Sequence, residues 1–438
     1  MKHRFLHLSE RLRASFWVIP ALMMVAALLL AQGLLAADRV WKIDHLPGFG
    51  WLRLHDPDSA RALLGAIAGS TITVAGTVFS ITTVALTLAS NQFGPRLVRN
   101  FIRDRGTQVS LGIFLSTFIY ALMSMRGIGS DPLEVRHTLT VTFALLLTLG
   151  CIAYLIYFIH NVAQSIQVDN ITFHINREFR SALETIYPRE EARDRRNTRR
   201  DLRTLKLGDD SLCVRARNEG YVQMINRPAL IDWAKAHNCR VQLLCHPGIF
   251  AFHWRPVARV YDPPRDLDSQ EIANDILNAI TLGPQATAEQ DIIFSIRQLA
   301  QIAVRALSPG INDPFTAYSC IDRLVDGVGI VLQRPPLPNC FHDDQEQLRL
   351  VVDELDFADV LAAALDEIRE YGRGSGVVMR HLIGALIELA DICSRDEDRR
   401  ALNALTERLA EDCENGIEDR FDIATIEKQL STLRRTLK

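Results

Sequence analysis

The chain has 438 residues, 48% of them hydrophobic and 23% charged, with 49 Lys and Arg against 52 Asp and Glu for a net charge of -3. That balance supplies no global basic field, so nucleic acid is not an indicated partner. The eight cysteines lack a CxxC pair or metal-ligand spacing, which excludes a disulfide scaffold and a zinc fold and suits a reducing compartment.

Four stretches are long and apolar enough to cross a bilayer: about 14–37, 62–90, 109–125 and 138–159. The first follows Lys2, Arg4, Arg11 and Arg13 and has the flavour of a secretory signal, but its length and the three spans behind it read as an uncleaved anchor. The second is unusual. It carries no charge yet sets Thr73, Thr77, Ser80, Thr87 and Asn91 on one helical stripe, extended by Gly65 and Gly69. Such a face serves either to line a pore or to pack closely against another helix. At 1.5 Å per residue it is roughly 43 Å long against a hydrocarbon core of about 30 Å, so it tilts or protrudes. Basic residues gather in the N-terminal tail and after the second span, at Arg96, Arg99, Arg103 and Arg105, which predicts both termini in the cytoplasm.

Residues 163–208 read as a connector. An amphipathic helix with Ile171, Ile175, Phe179, Leu183 and Ile186 on one face leads into the charged run Arg189 to Lys206, expected to be a solvated linker or frayed helix rather than an anionic-lipid contact. Residues 209–264 alternate between apolar and polar and are punctuated by Gly and Pro, predicting a small β module of four short strands around one helix. Its Gly220-Tyr221-Val222 strand and Pro247-Gly248 turn faintly resemble the barrel-sandwich domains that carry lipoyl or biotinyl groups. Lys235, however, falls in a helix instead of at a hairpin tip, and no cofactor is implied. From 265 to 438 the pattern predicts a cytoplasmic bundle that is helical throughout. The fold class is therefore mainly α: a polytopic membrane protein with four N-terminal transmembrane helices, a small β-rich module and a C-terminal helical bundle.

The most specific soluble segment runs from Gly283 to Ala317. It predicts a helix with Ile292, Ile296, Leu299, Ala303 and Leu307 buried and Asp291, Ser295, Gln298, Gln301 and Arg305 on the open side. The helix should stop at Ser308-Pro309-Gly310, with Gly310 taking a left-handed turn, and a second helix should start with Asp313 as its cap and Pro314 in first position. Capping accounts for Gly310, Asp313 and Pro314 but leaves Asp291, Gln298, Arg305 and Asn312 as candidates for a ligand or subunit contact. No catalytic constellation emerges. Gly372-Arg373-Gly374-Ser375-Gly376 follows a helix and lacks nucleotide-loop spacing, so it reads as an interhelical turn with Ser375 as a cap. His160 and His253 have no partner spacing for metal or acid–base work. Neither an enzyme nor a metal site is expected.

Taken together, Ser90-Asn91-Gln92-Phe93-Gly94-Pro95-Arg96, the Gln108 to Phe114 stretch, Gly220-Tyr221-Val222-Gln223 and Arg305-Ala306-Leu307-Ser308-Pro309-Gly310 with Asn312-Asp313-Pro314 resemble a bacterial inner-membrane family of predicted membrane proteins. The resemblance covers nearly the whole chain and implies no substrate. Absence of ionisable groups from the four apolar cores disfavours proton-coupled carriers, pumps and voltage sensors. Two readings remain: a homo-oligomeric passive channel built around the second span, or a membrane-anchored sensor or scaffold acting through its cytoplasmic part. The bilayer, a second copy of the chain and an unidentified small ion or ligand are the expected partners.

Overall fold

The computed structural model describes residues 17–41, 57–93, 105–128, 138–165, 167–189, 194, 196–205, 207–208 and 210–438. The N-terminal basic tail, Arg96, Arg99 and Arg103, and residues 190–193, 195 and 206 of the charged run lie outside these. The chain divides into two compact units, residues 1–170 and 171–438.

Four helices of the first unit are long and apolar enough to cross a membrane: α1 (Val18–Trp41), α2 (Pro57–Phe93), α3 (Arg105–Gly127) and α4 (Thr138–Ser165). Each outruns its apolar core, because helical hydrogen bonding continues into polar residues at the bilayer rim where hydropathy no longer marks it. α3 packs against the other three. Its glycines permit this: a Cβ on Gly112 would overlap the Met23 side chain of α1. Tyr120, Phe114, Thr117 and Ser124 of α3 are fully buried.

Polar latches close one rim of the bundle. Asp38, buried at the end of α1, accepts hydrogen bonds from Leu139 N–H at 3.0 Å, Thr140 N–H at 3.0 Å and Thr140 Oγ1 at 2.6 Å, satisfying free amides at the start of α4. Arg61, in the first turns of α2, donates to the Ile128 carbonyl just past α3, at 3.1 Å from Nε and 2.5 Å from Nη2. The end of α1, the start of α2, the end of α3 and the start of α4 thus share one side, as four successive crossings require.

The second unit opens with α5 (Val168–Ile186), whose Ile171, Ile175, Phe179 and Leu183 are buried as the 3.6-residue period predicts. The charged run behind it is not wholly solvated. Residues 197–200 dock in extended form: Thr198 exchanges backbone hydrogen bonds with Cys340, and the Asn339 side chain brackets Arg200 through its N–H (2.9 Å) and carbonyl (2.7 Å). A helix reading fails there because these backbone groups find partners on Asn339 and on Cys340, far along the chain.

Five strands, not four, occupy the β region: β1 (Ser211–Arg215), β2 (Gly220–Ile225), β3 (Arg240–Leu243), β4 (Phe250–Ala251) and β5 (Pro256–Tyr261), with α6 (Arg227–Ala236) between β2 and β3. Downstream, the region expected to be wholly helical supplies three more. After α7 (Ser269–Asn278) comes β6 (Ile280–Gly283), and β7 (Cys340–His342) and β8 (Leu348–Val352) follow later. One sheet has the order β1-β5-β3-β8-β7, with β3 and β8 parallel and the other pairs antiparallel, and a second has the order β4-β2-β6. Val214, Val222, Leu243, Val260, Ile272, Ile276 and Leu350 form their shared core. The two sheets do not have the layout of a barrel-sandwich domain. Lys235 sits on α6, paired with Asp344 at 2.6 Å.

The helical remainder comprises α8 (Ile292–Ala306), α9 (Pro314–Gln333), α10 (Phe357–Gly372), α11 (Gly376–Asp391), α12 (Asp396–Gly416) and α13 (Arg420–Thr436). α8 packs against α9 and α10, and α11 against α9 and α13. Residues 372–376 form the expected interhelical turn, with Ser375 in the cap position but without a side-chain capping bond.

Candidate functional site

α2 has two unlike faces. Leu64, Ile67, Ala68, Thr71, Ala75, Val78 and Ala85 pack into the first unit, whereas Gly69, Thr73, Thr77, Ser80 and Thr87 are exposed on the opposite side. The predicted stripe therefore faces away from its own bundle. Asn91 lies on the same helix, but its side chain is outside the described residues, and Gly65 is half-buried near Met125. The hydroxyls of Thr73, Thr77 and Thr87 donate to the carbonyls of Gly69 (2.8 Å), Thr73 (3.1 Å) and Thr83 (2.9 Å), so the face is self-satisfied in lipid while keeping oxygen lone pairs at its surface. Val84 falls on the same stripe between Ser80 and Thr87, and Phe79 and Leu88 flank it, all three exposed as lipid-facing residues would be.

The α8–α9 hairpin distributes its candidate residues differently from the wheel. Asp291, Ser295 and Gln298 are buried, at 6%, 0% and 5% exposure, so α8 does not bury one side only. Packing on both α9 and α10 leaves it little free surface. Asp291 caps α8 by accepting from Ile293 N–H at 2.9 Å. Burial pushes its carboxyl above the usual range, against the capping amides of Phe294 and Ile293 and the nearby His246 and Arg297. Gly248, at a φ of 92°, makes room for that carboxylate, since a Cβ there would overlap it. Ser295 Oγ and Gln298 Oε1 have no hydrogen-bond partner among the described residues. Arg305 is half-buried and Asn312 exposed beyond the far end of the helix, about 22 Å from Asp291 at 1.5 Å per residue. The structure does not gather the four residues into one site.

At the hairpin tip the left-handed residue is Asn312, with a φ of 49°, and not Gly310. Asn tolerates that region, and the turn closes through Asn312 N–H to the Ser308 carbonyl at 2.9 Å and Asp313 N–H to the Ala306 carbonyl at 2.8 Å. Asp313 caps α9 as expected, accepting from Phe315 N–H (3.1 Å), Thr316 N–H (3.2 Å) and Thr316 Oγ1 (2.5 Å).

Sequence reasoning missed Glu354, a buried carboxylate 2.5 Å from Arg227 whose pKa burial raises while Arg227, His246 and Arg199 oppose. His246 thus lies in the field of both Glu354 and Asp291. It is legible in the sequence only as part of a turn, because its acidic neighbours are 45 and 108 positions away. Among the described residues no group of His, Cys, Asp and Glu has the arrangement of a metal site. All eight cysteines are free thiols.

The family described as "Predicted membrane protein (DUF2254)" matches residues 13–388. The chain belongs to the DUF2254 family. It is 31% identical over 355 residues to "Uncharacterized protein MT1328" of Mycobacterium tuberculosis (strain CDC 1551 / Oshkosh) and, over the same length, to "Uncharacterized protein Mb1321c" of Mycobacterium bovis (strain ATCC BAA-935 / AF2122/97). Each alignment covers 78% of this chain and 66% of the relative, so this DUF2254 chain spans just under two thirds of the curated relatives it matches. No solved structure matches. The family places the protein in a membrane, consistent with its four spans, and brings no chemistry.

Proposed function

We propose that this DUF2254 protein is a homo-oligomeric passive channel of the bacterial inner membrane, with both termini cytoplasmic and the second unit acting as its regulatory domain rather than as an enzyme. One observation carries the reading: the hydroxyl face of α2 turns out of its own bundle. A monomer gains nothing from a stripe of Gly, Thr and Ser against lipid. Several α2 helices around an axis would let small side chains approach closely and present hydroxyl and carbonyl oxygens to a conducted species. Cysteines placed at 73, 77, 80 and 87 should then react with water-soluble thiol reagents, and Ser80→Leu should reduce conductance in planar bilayers. Uniform protection of all four in an assembled oligomer, with no conductance, would remove the channel.

Exposed aromatics support a second reading, a membrane-anchored scaffold. Phe315, Tyr371 and Phe421 are 78%, 61% and 73% exposed at the start of α9, the end of α10 and the start of α13. Loss of a co-purifying partner on Phe315→Ser, with conductance absent throughout, would favour it.

A further inference from the structure

A cleft of about 670 Å³ opens where the end of α9, the start of α12 and the residue following α5 and its Tyr187-Pro188 turn meet. Arg189, Arg334 and Arg395 line it with Gln333 and Ser394, Ile330 and Ile392 lie along its flank, and among the described residues no carboxylate lines it. In a chain carrying more acidic than basic residues, three guanidinium groups gathered where, among the described residues, only Asp398 beside Arg395 offers a carboxylate call for an explanation.

The three arginines differ in what already holds them. Arg395 has structural work: it pairs with Asp398 and donates to the carbonyls of Arg334 and Val331, gripping the end of α9. Exposed Arg189 and half-buried Arg334 make no ion pair or side-chain hydrogen bond among the described residues. Guanidinium forks match phosphate oxygens in geometry and charge, which is why Arg recurs where phosphate is recognised. The volume falls within the range typical of small-molecule sites, far larger than inorganic phosphate needs, and Ile392, 41% exposed, offers apolar contact to the rest of a ligand.

We infer that the Arg189–Arg334–Arg395 cleft binds an organic phosphate, with Arg189 and Arg334 holding the phosphate oxygens and Arg395 fixing the wall behind them. The site is independent of the channel reading. Its ligand chemistry has two sources, a soluble phosphorylated metabolite or a phospholipid headgroup, and the experiment separates them. Full-length protein in neutral detergent is titrated with ATP, and protein in nanodiscs of phosphatidylcholine, with or without phosphatidylglycerol, is melted. Arg334→Ala removes the side chain but keeps the carbonyl that Arg395 grips, so the fold should survive, which an unchanged melting temperature without ligand verifies. ATP affinity should fall tenfold or more in Arg334→Ala and in Arg189→Ala and stay unchanged in Arg265→Ala, on an exposed loop that does not line the cleft. If ATP does not saturate but phosphatidylglycerol raises the melting temperature of the parent and not of Arg334→Ala, the site holds and its source is the headgroup. If neither probe distinguishes the parent from Arg334→Ala, the inference is overturned.

Discussion

Removing Asp38 should unlatch α1 from α4. Its Oδ1 accepts from Leu139 N–H and its Oδ2 from both Thr140 N–H and Thr140 Oγ1, with the residue only 2% exposed. Hydrogen bonds to a charged group contribute about 1.5–3 kcal/mol each. Three that share one carboxylate are less than additive, so Asp38→Ala should lose about 3 kcal/mol, left as unsatisfied donors at the start of α4. An asparagine in its place would keep one acceptor oxygen and turn an amide donor toward Thr140, so Asp38→Asn should lose about 2 kcal/mol. Unfolding the full chain in mixed micelles of SDS and a mild detergent, followed by tryptophan fluorescence, measures both. An alanine variant within about 0.5 kcal/mol of the parent would refute the latch. So would an asparagine variant equal to the parent, because then Oδ2 does nothing.

Three further outcomes are expected. Asp313→Ala should cost about 1 kcal/mol by freeing two amides of α9, while Asp313→Asn keeps most of the cap, and equal melting of all three proteins would reject the assignment. At the same tip Gly310→Ala should be tolerated, since nothing lies within 4 Å of its would-be Cβ, whereas Asn312→Val should destabilise by about 1–2 kcal/mol by forcing a β-branched residue into the left-handed region. The opposite ranking in thermal melts would return the turn to Gly310. Asp291→Asn should retain the cap and remove a charge that burial disfavours. Because the folded pKa is raised, the penalty on the parent is present above that value and fades as pH falls toward the unfolded 3.8, so the variant's advantage should be larger at pH 7.5 than at pH 4. A variant less stable at both pH values would contradict this.

The spans are legible because a bilayer demands length and apolarity together, and a single run such as that between Ala62 and Ser90 satisfies both. Which way the hydroxyl stripe faces is not legible, since both faces of α2 are small or apolar enough to bury. Strands β6, β7 and β8 escape because their stability lies in remote pairing: Leu-Arg-Leu-Val-Val at 348–352 is short and apolar enough to read as the first turn of a helix, although Asp356 caps the real one, and its neighbour is Val241 to Leu243. Polarity alone puts Asp291, Ser295 and Gln298 on the open side. Their burial depends on α9, α10 and Gly248, which no window of the sequence contains. The turn at 308–313 can be located from its residues but its left-handed position cannot, because Gly and Asn both tolerate that geometry and only the backbone decides between them.

The parallel pairing of β3 with β8 constrains how the second unit can be made and cut. Val241 lies beside Leu350, so the α8–α9 hairpin falls in the chain between strands of one sheet. During synthesis β3 must wait for more than a hundred residues before its inner neighbour leaves the ribosome, and until then one edge stays open to pairing with other chains. A fragment ending before Leu348 would keep that edge for good and should aggregate, and a fragment beginning at α8 would carry β7 and β8 without the rest of their sheet. The strands and the helices are interleaved, and they would have to be expressed, and inherited, as one piece.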